Sequence, residues 1–139
     1  MVRAPAVAIA SLAAIALFGC GSGALSTEKA REAVEGLPYE VSIHEPEGES
    51  GILIGVARGE HGGVVHFAMV TDLDNDAVPA YLRAAADGNI TGGGGWYVFR
   101  DGEFPRPGQS RAEDLEQGEI SVAIDEALCI AASGDPCPV

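Results

Sequence analysis

The sequence predicts an α+β fold, in which a single antiparallel sheet of four or five strands packs against helices. Two observations lead to this prediction. Apolar residues recur in strand-like segments within residues 39–71, and glycine-containing turns of five to seven residues separate these segments. Segments with helix-capping residues stand before and after these strands, and this mixture is typical of an α+β domain.

The first half of the chain contains one predicted helix and three predicted strands. The helix covers Thr27–Glu35, and a serine or threonine at its start can cap the free backbone N–H groups. Alternating apolar residues in Tyr39–His44 predict a half-buried strand. Ile52–Arg58 and Val64–Thr71 predict two strands that are apolar on both faces. We therefore expect a sheet that is covered on both sides, at least in part.

The middle of the chain predicts a second helix and a fourth strand. The helix is placed at Val78–Ala86, and the glycine run Gly92–Gly95 is interpreted as a flexible connection or a bulge. Trp96–Arg100 predicts the strand. Asp101-Gly102 is a strong hairpin signal, which predicts a return of the chain through residues 103–104.

The last third of the chain leaves two interpretations open. Ser110 and Glu113 have the spacing of a capping box, which predicts a short helix. Alternating apolar residues then predict a fifth strand within residues 119–124, followed by a helix that ends near Ala132. A single helix over residues 120–132 fits the same residues nearly as well, and the pattern does not separate the two.

The charge of the chain excludes one class of partner. Eight basic residues stand against 21 acidic residues, which gives a formal charge of −13. Such a chain has no basic patch for nucleic acid, so we predict no nucleic-acid partner. It is also repelled by anionic lipid headgroups, so its own charge does not attach it to a membrane.

The N-terminus has the order of residues found in secretory signals. Arg3 provides a basic start, and Ala4–Phe18 is an apolar run of about 15 residues, shorter than the roughly 20 that span a bilayer. Leu17-Phe18-Gly19-Cys20 then resembles the lipobox of bacterial lipoproteins. The resemblance covers residues 1–20 only. The motifs in the rest of the chain indicate no known family.

The lipobox resemblance implies a division of the chain and a location. Residues 1–19 are the signal peptide, residues 20–26 are the lipidated Cys20 and a flexible tether, and residues 27–139 are a single globular α+β domain. The lipid would hold the protein on the extracytoplasmic face of a cell membrane. Removal of the signal peptide takes away Arg3 and no acid, so the formal charge becomes −14.

The remaining cysteines predict a disulfide. Disulfides persist in exported proteins, so we expect Cys129 and Cys137 to pair and to pin the C-terminal tail to the last helix. The alternative is a redox-active or metal-binding pair. The spacing is not C-x-x-C and no histidine lies nearby, which favours the structural disulfide.

Three aspartates form the candidate cation site. Asp72, Asp74 and Asp76 resemble the start of a calcium-binding EF-hand loop. The sixth and twelfth positions of that loop require glycine and glutamate, and Ala77 and Arg83 stand there instead. The segment is therefore either a solvated acidic loop before the second helix or a divalent-cation site of another kind.

Aromatic residues beside the glycine run form the candidate binding site. Alternation places Trp96 and Val98 on one face of the predicted strand and Tyr97 and Phe99 on the other. One pair is expected in the core. The other pair is either core as well or an exposed aromatic platform that stacks on a sugar or contacts a protein.

These observations support two functional hypotheses. The first is a lipid-anchored, non-enzymatic binding or accessory domain whose partner is an envelope protein or a cell-wall polymer. The alternative is a small extracytoplasmic hydrolase that uses a divalent cation at Asp72–Asp76. No catalytic residue and no other cofactor is predicted, because the sequence has no nucleophile-elbow motif and its histidines lack zinc-motif spacing.

Overall fold

The computed structural model describes residues 24–86, 90–101 and 108–137. The helices and strands follow in chain order: α1 (Thr27–Glu35), β1 (Glu40–His44), β2 (Ile52–Arg58), β3 (Val64–Val70), α2 (Ala80–Ala86), β4 (Thr91–Gly93), β5 (Trp96–Arg100) and α3 (Arg111–Ser133). The predicted signal peptide, Cys20 and the predicted return through residues 103–104 lie outside the described residues.

The described strands form one antiparallel sheet of five strands, in the order β1-β2-β3-β5-β4. With the three helices, this arrangement confirms the predicted α+β fold. The predicted bounds of α1, β2 and β5 agree with the structure, and those of β1, β3 and α2 differ by one or two residues at one end. Such differences are ordinary at the ends of helices and strands.

One face of the sheet is covered by α1 and α3, with the side chains of β1 at its margin half-buried. Side chains at alternate positions of the strands point to this face and meet the apolar sides of both helices. The core includes Ala30 and Val34 of α1; Leu53, Ala57, Val65, Phe67, Met69, Trp96 and Val98 of the strands; and Ile120, Ile124 and Leu128 of α3.

The other face of the sheet is covered only in part by the described residues. The short helix α2 and Val78 before it pack on one half of this face, where they form a second core. That core contains Ile52, Ala68, Val70, Val78, Leu82, Ala86 and Phe99. The expectation of a sheet covered on both sides, at least in part, is therefore confirmed.

The C-terminal segment is one helix, so of the two interpretations left open by the sequence the single helix is confirmed, and residues 119–124 form no strand. The capping box is present at Ser110 and begins a helix of 23 residues rather than a short one. Ile120, Ile124 and Leu128 are spaced four residues apart and all are buried, while Val122 is exposed. This burial follows the helical period and not the strand period. No described helix has both the length and the apolar character that crossing a membrane requires.

The fifth strand is instead the glycine-containing β4, which the sequence analysis interpreted as a connection. Gly94 and Gly95 form the turn between β4 and β5, with φ angles of +62° and +86°. A two-residue hairpin turn of this type needs positive φ at both positions, which glycine adopts without steric cost. The backbone N–H of Leu25 donates to Gly94 O at 2.8 Å and fastens the start of the described chain to this turn.

Both edge strands of the sheet carry a covered carbonyl group. At β1, Arg31 of α1 donates from Nη2 to Ile43 O at 2.8 Å. At β4, the disulfide between Cys129 and Cys137 lies against Gly92 O, with sulfur–oxygen distances of 3.8 and 4.0 Å. The disulfide joins the C-terminal tail to α3, as its predicted role requires, and it also covers part of an edge strand.

A buried ion pair joins β4, β5 and α3. Arg100 is 5 % exposed and donates from Nη2 to Asp125 Oδ2 at 3.2 Å and to Thr91 Oγ1 at 2.6 Å. The hydroxyl of Thr91 donates to the same carboxylate at 2.6 Å. Each charged group therefore has a partner, which a buried charge needs.

A second buried carboxylate holds the turn between β2 and β3. Glu116 of α3 is 4 % exposed and accepts hydrogen bonds from the backbone N–H groups of His61, at 3.0 Å, and Gly63, at 2.8 Å. Hydrogen bonds from backbone N–H groups to a carboxylate are stronger than those between neutral groups. The carboxylate therefore fixes the turn to the helix that covers the sheet.

The substitution Glu116→Ala tests this connection. It removes the acceptor of two backbone N–H groups, and we expect the free energy of unfolding to fall by about 2–3 kcal/mol. The exposed Glu119 on the same helix provides the control, and Glu119→Ala should change stability by less than about 0.5 kcal/mol. Urea unfolding followed by circular dichroism measures both values, and equal effects would contradict the role assigned to Glu116.

Candidate functional site

The half of the sheet that α2 leaves uncovered is the candidate functional site. We call it the open sheet face and define it by four strand residues and one residue of α2: Ile54, Val56, Val64, His66 and Tyr81. The four strand residues are half-buried, and Tyr81 is 55 % exposed. Among the described residues, the two halves of one sheet face therefore differ, because one half is core and the other is only half-buried.

The strand register brings the members of the open sheet face together. Val56 pairs with His66 of β3 on one side and with Ser42 of β1 on the other. Directly paired residues have Cβ atoms about 5 Å apart, so their side chains form a continuous row. An antiparallel sheet that faces water normally presents polar side chains on that side. The β-branched apolar residues here instead resemble a surface that is prepared for burial.

His66 and Tyr81 form the boundary between the open sheet face and α2. Their rings meet edge to face, with centroids 6.5 Å apart and planes at 76°. The backbone N–H of His66 donates to Asp101 Oδ1 at 2.8 Å, which fixes the first half of β3 to the residue that follows β5. Polar and charged residues surround the apolar centre, namely Ser42, His44, Glu40 and Arg58.

A groove of about 450 Å³ adjoins one end of the open sheet face. Its walls come from the chain just before and within β1, including Tyr39 and Glu40, and from the end of β2, including Arg58. Burial raises the pKa of the Tyr39 hydroxyl above its ordinary value of 10.0, and the negative charges of Glu119 and Glu116 raise it further. The groove therefore has a neutral hydroxyl beside charges of both signs.

The predicted aromatic site is divided by the structure. Trp96 lies in the core beneath α1 and α3, and Phe99 lies in the core beneath α2, each 2 % exposed. Tyr97 alone of the three is exposed, at 41 %. The alternation of faces was predicted correctly, but Tyr97 and Phe99 do not form an aromatic platform, because α2 covers Phe99.

The predicted cation site lies in an exposed turn between β3 and α2. Asp72 Oδ1 accepts a hydrogen bond from the backbone N–H of Asp74 at 2.9 Å, and Asp76 is exposed beside them. This hydrogen bond is a local turn interaction of the kind that aspartate often makes. Within residues 24–86, 90–101 and 108–137, no group of three or more histidine, cysteine, aspartate or glutamate side chains is arranged to hold a metal ion.

Two sets of buried charged side chains outside the open sheet face stabilise the fold. The carboxylate of Glu116 binds a turn, and the Arg100–Asp125 pair binds two strands to a helix. A second exposed apolar surface lies on α3, where Leu115 and Val122 are separated by the acidic Glu119. The open sheet face differs from it because its apolar side chains lie in adjacent strands without a carboxylate between them.

Comparison of the chain with models of protein families, with curated proteins and with solved structures finds no match. The interpretation of the site therefore depends on its own geometry. Sequence reasoning did not locate the open sheet face, although its signal was present. Two strands that are apolar on both faces need two covering layers, and α2 has only seven residues with which to provide the second.

The raised pKa of Tyr39 predicts a dependence of stability on pH. In the unfolded chain the hydroxyl loses its proton near pH 10, whereas in the folded protein it keeps the proton to higher pH. The stability that this provides is complete below pH 10.0 and is lost as the pH rises through the folded-state pKa.

We therefore expect Tyr39→Phe to lose less stability than the wild type between about pH 9 and about pH 11. Urea unfolding at the two pH values measures the difference. Tyr81→Phe is the matched control, because it removes an exposed hydroxyl. A wild-type protein and a Tyr39→Phe variant with the same pH dependence would show that the hydroxyl is not held neutral.

Proposed function

We propose that this chain is a lipid-anchored protein of the cell envelope whose folded domain binds another protein, without catalysis, through the open sheet face. The observation that carries the proposal is the group of half-buried β-branched side chains on one face of β2 and β3: Ile54 and Val56 at alternate positions of β2, and Val64 on β3. Apolar surface of this kind gains about 25 cal/mol for each Å² that a partner removes from water. The burial of this apolar surface therefore favours binding of a partner that covers it.

The anchor part of the proposal depends on Leu17-Phe18-Gly19-Cys20 and its resemblance to a lipobox. The disulfide between Cys129 and Cys137 supports export, because such bonds persist in oxidising compartments. The acidic character of the chain supports a lipid as the attachment, since carboxylates are repelled by anionic headgroups.

The chemistry of the open sheet face favours a protein over a wall polymer as the partner. Sugar polymers are bound by exposed aromatic rings together with many hydrogen-bonding groups. Here the centre is aliphatic, and Tyr81 stands at its edge. An apolar centre with a rim of polar and charged residues, such as Ser42, His44 and Arg58, is the usual composition of a protein interface.

The substitution Cys20→Ser tests the anchor. We expect the wild-type protein to incorporate radiolabelled palmitate and the variant to incorporate none, because the thiol that carries the lipid is absent. Cys137→Ser is the control, since it removes a cysteine outside the lipobox and should keep the label. Equal labelling of Cys20→Ser and the wild type would contradict lipidation at Cys20.

A pair of valine substitutions tests the binding surface. Val56→Asp places a charge in the open sheet face, and we expect it to weaken the complex at least about tenfold, because an unpaired buried carboxylate is unfavourable. Val122→Asp is the matched control, since Val122 is 58 % exposed on α3. Thermal unfolding of both variants establishes that the fold is intact.

The complex itself is detected with a photo-crosslinking amino acid at position 56 or position 122, in cells that carry the full chain. We expect an adduct with another polypeptide at position 56 and none at position 122. A second copy of the chain in the adduct would still support binding at this face. Equal adducts at both positions, or no adduct at either, would overturn the open sheet face as the binding surface.

A further inference from the structure

We infer that the hairpin of β4 and β5 is the part of the domain that contacts the lipid surface. This inference rests on the proposed lipidation of Cys20. It begins from the short stretch of chain between Cys20 and Leu25, the first residue with described hydrogen bonds to the hairpin. A tether fixed at both ends limits which side of a domain can approach the membrane.

The reach of the tether follows from covalent geometry. Leu25 lies five positions after Cys20, and a fully extended chain over those five steps spans about 17 Å. Leu25 is held by two hydrogen bonds, from its own N–H to Gly94 O at 2.8 Å and from Trp96 Nε1 to its carbonyl at 2.7 Å. The turn at Gly94 therefore lies within about two helix diameters of the lipidated residue.

The opposite end of the sheet is too far from the anchor to replace the hairpin. Val70 pairs with both Ile52 and Tyr97, so the start of β2 lies level with the hairpin. From Ile52 to Arg58, β2 rises about 20 Å. The groove beside Arg58 and the turn at Glu60 therefore point away from the lipid surface.

Tyr97 gives the hairpin a side chain that suits a lipid headgroup layer. It is 41 % exposed and lies one residue beyond Trp96, on the strand that leaves the turn. Tyrosine is enriched where membranes meet water, because its ring is apolar and its hydroxyl is polar. The two glycines of the turn let Ala24 and Leu25 pack closely against the hairpin.

Charge does not create this contact. The turns after β1 and β3 lie at the same end of the sheet as the hairpin and carry six exposed carboxylates: Glu45, Glu47, Glu49, Asp72, Asp74 and Asp76. Anionic headgroups repel these groups. The tether at Leu25 therefore determines which corner of the domain is held down, and a neutral membrane allows the closest contact.

The inferred orientation also places the open sheet face. The strands run from the membrane end of the domain to the far end. The open sheet face is therefore turned to the side of the domain and not toward the membrane. Val56 pairs with His66, four residues from Val70 and about 13 Å farther from the hairpin end. A partner would therefore reach this face from the side, without competing with lipid.

Fluorescence quenching on the full lipidated chain tests the orientation. The protein is reconstituted into phosphatidylcholine vesicles that carry a headgroup spin label, and one cysteine is introduced by Tyr97→Cys, Tyr81→Cys or Glu60→Cys. Each is the one free thiol, because Cys20 is acylated and Cys129 is bonded to Cys137. We expect quenching of an attached dye to be strongest at position 97, weaker at 81 and weakest at 60.

A longer tether provides the control. Insertion of about ten glycine and serine residues between Ser22 and Gly23 gives the domain a flexible reach that no longer holds one corner down. We expect the insertion to reduce the quenching at position 97 severalfold. Equal quenching at positions 97 and 60, or a gradient that the insertion leaves unchanged, would overturn the inferred orientation.

Failure of the proposed function is distinguished by a separate measurement. The intact mass of the purified protein shows whether Cys20 carries lipid and whether the signal peptide is removed. A protein without lipid would overturn the anchor on which the inference rests. A lipidated protein without a quenching gradient would overturn the orientation alone and leave the proposed function standing.

Discussion

The central strands β2 and β3 carry apolar side chains on both faces, and the burial of both faces is the constraint on which the rest of the structure depends. Each face requires its own covering layer. In the part of the chain that the structure describes, the helices α1 and α3 cover one side, and the seven residues of α2 cover about half of the other. The open sheet face is the part of the second face that these helices leave without a covering layer.

Local signals in the sequence were sufficient for most of the elements. Ser110 and Glu113 located the start of α3, alternation located β1, and apolar runs between glycine-containing turns located β2 and β3. Strand and helix stayed open for residues 119–124, because Ile120 and Ile124 satisfy both a period of two and a spacing of four. The burial of Leu128 on the same side resolves that ambiguity, and this information comes from tertiary packing.

The polar interactions that position the candidate site could not be predicted in the same way. Glu116 binds backbone groups 53 and 55 residues away, and Arg100 binds Asp125 across 25 residues. No local sequence pattern predicts such long-range pairs, since any of the 21 acidic residues could have been the partner. β4 was missed because glycine has little strand propensity, although its Gly94-Gly95 dipeptide is itself a hairpin signal.

The sequence predicted part of the open sheet face, but it did not predict where that face ends. The apolar character of both strand faces was visible, but the helix that hides Phe99 and leaves Tyr97 exposed acts only in three dimensions. The same strand therefore contributes one residue to the core and one to the surface.

The covered carbonyls of the two edge strands have a consequence for crowding. A lipid anchor would confine many copies to one plane, where the ends of their sheets collide far more often than in free solution. Exposed strand edges would then join into extended sheets. Arg31 occupies the carbonyl of Ile43 at one edge, and the disulfide lies over Gly92 at the other. In anchored copies, these two contacts would oppose such edge-to-edge joining.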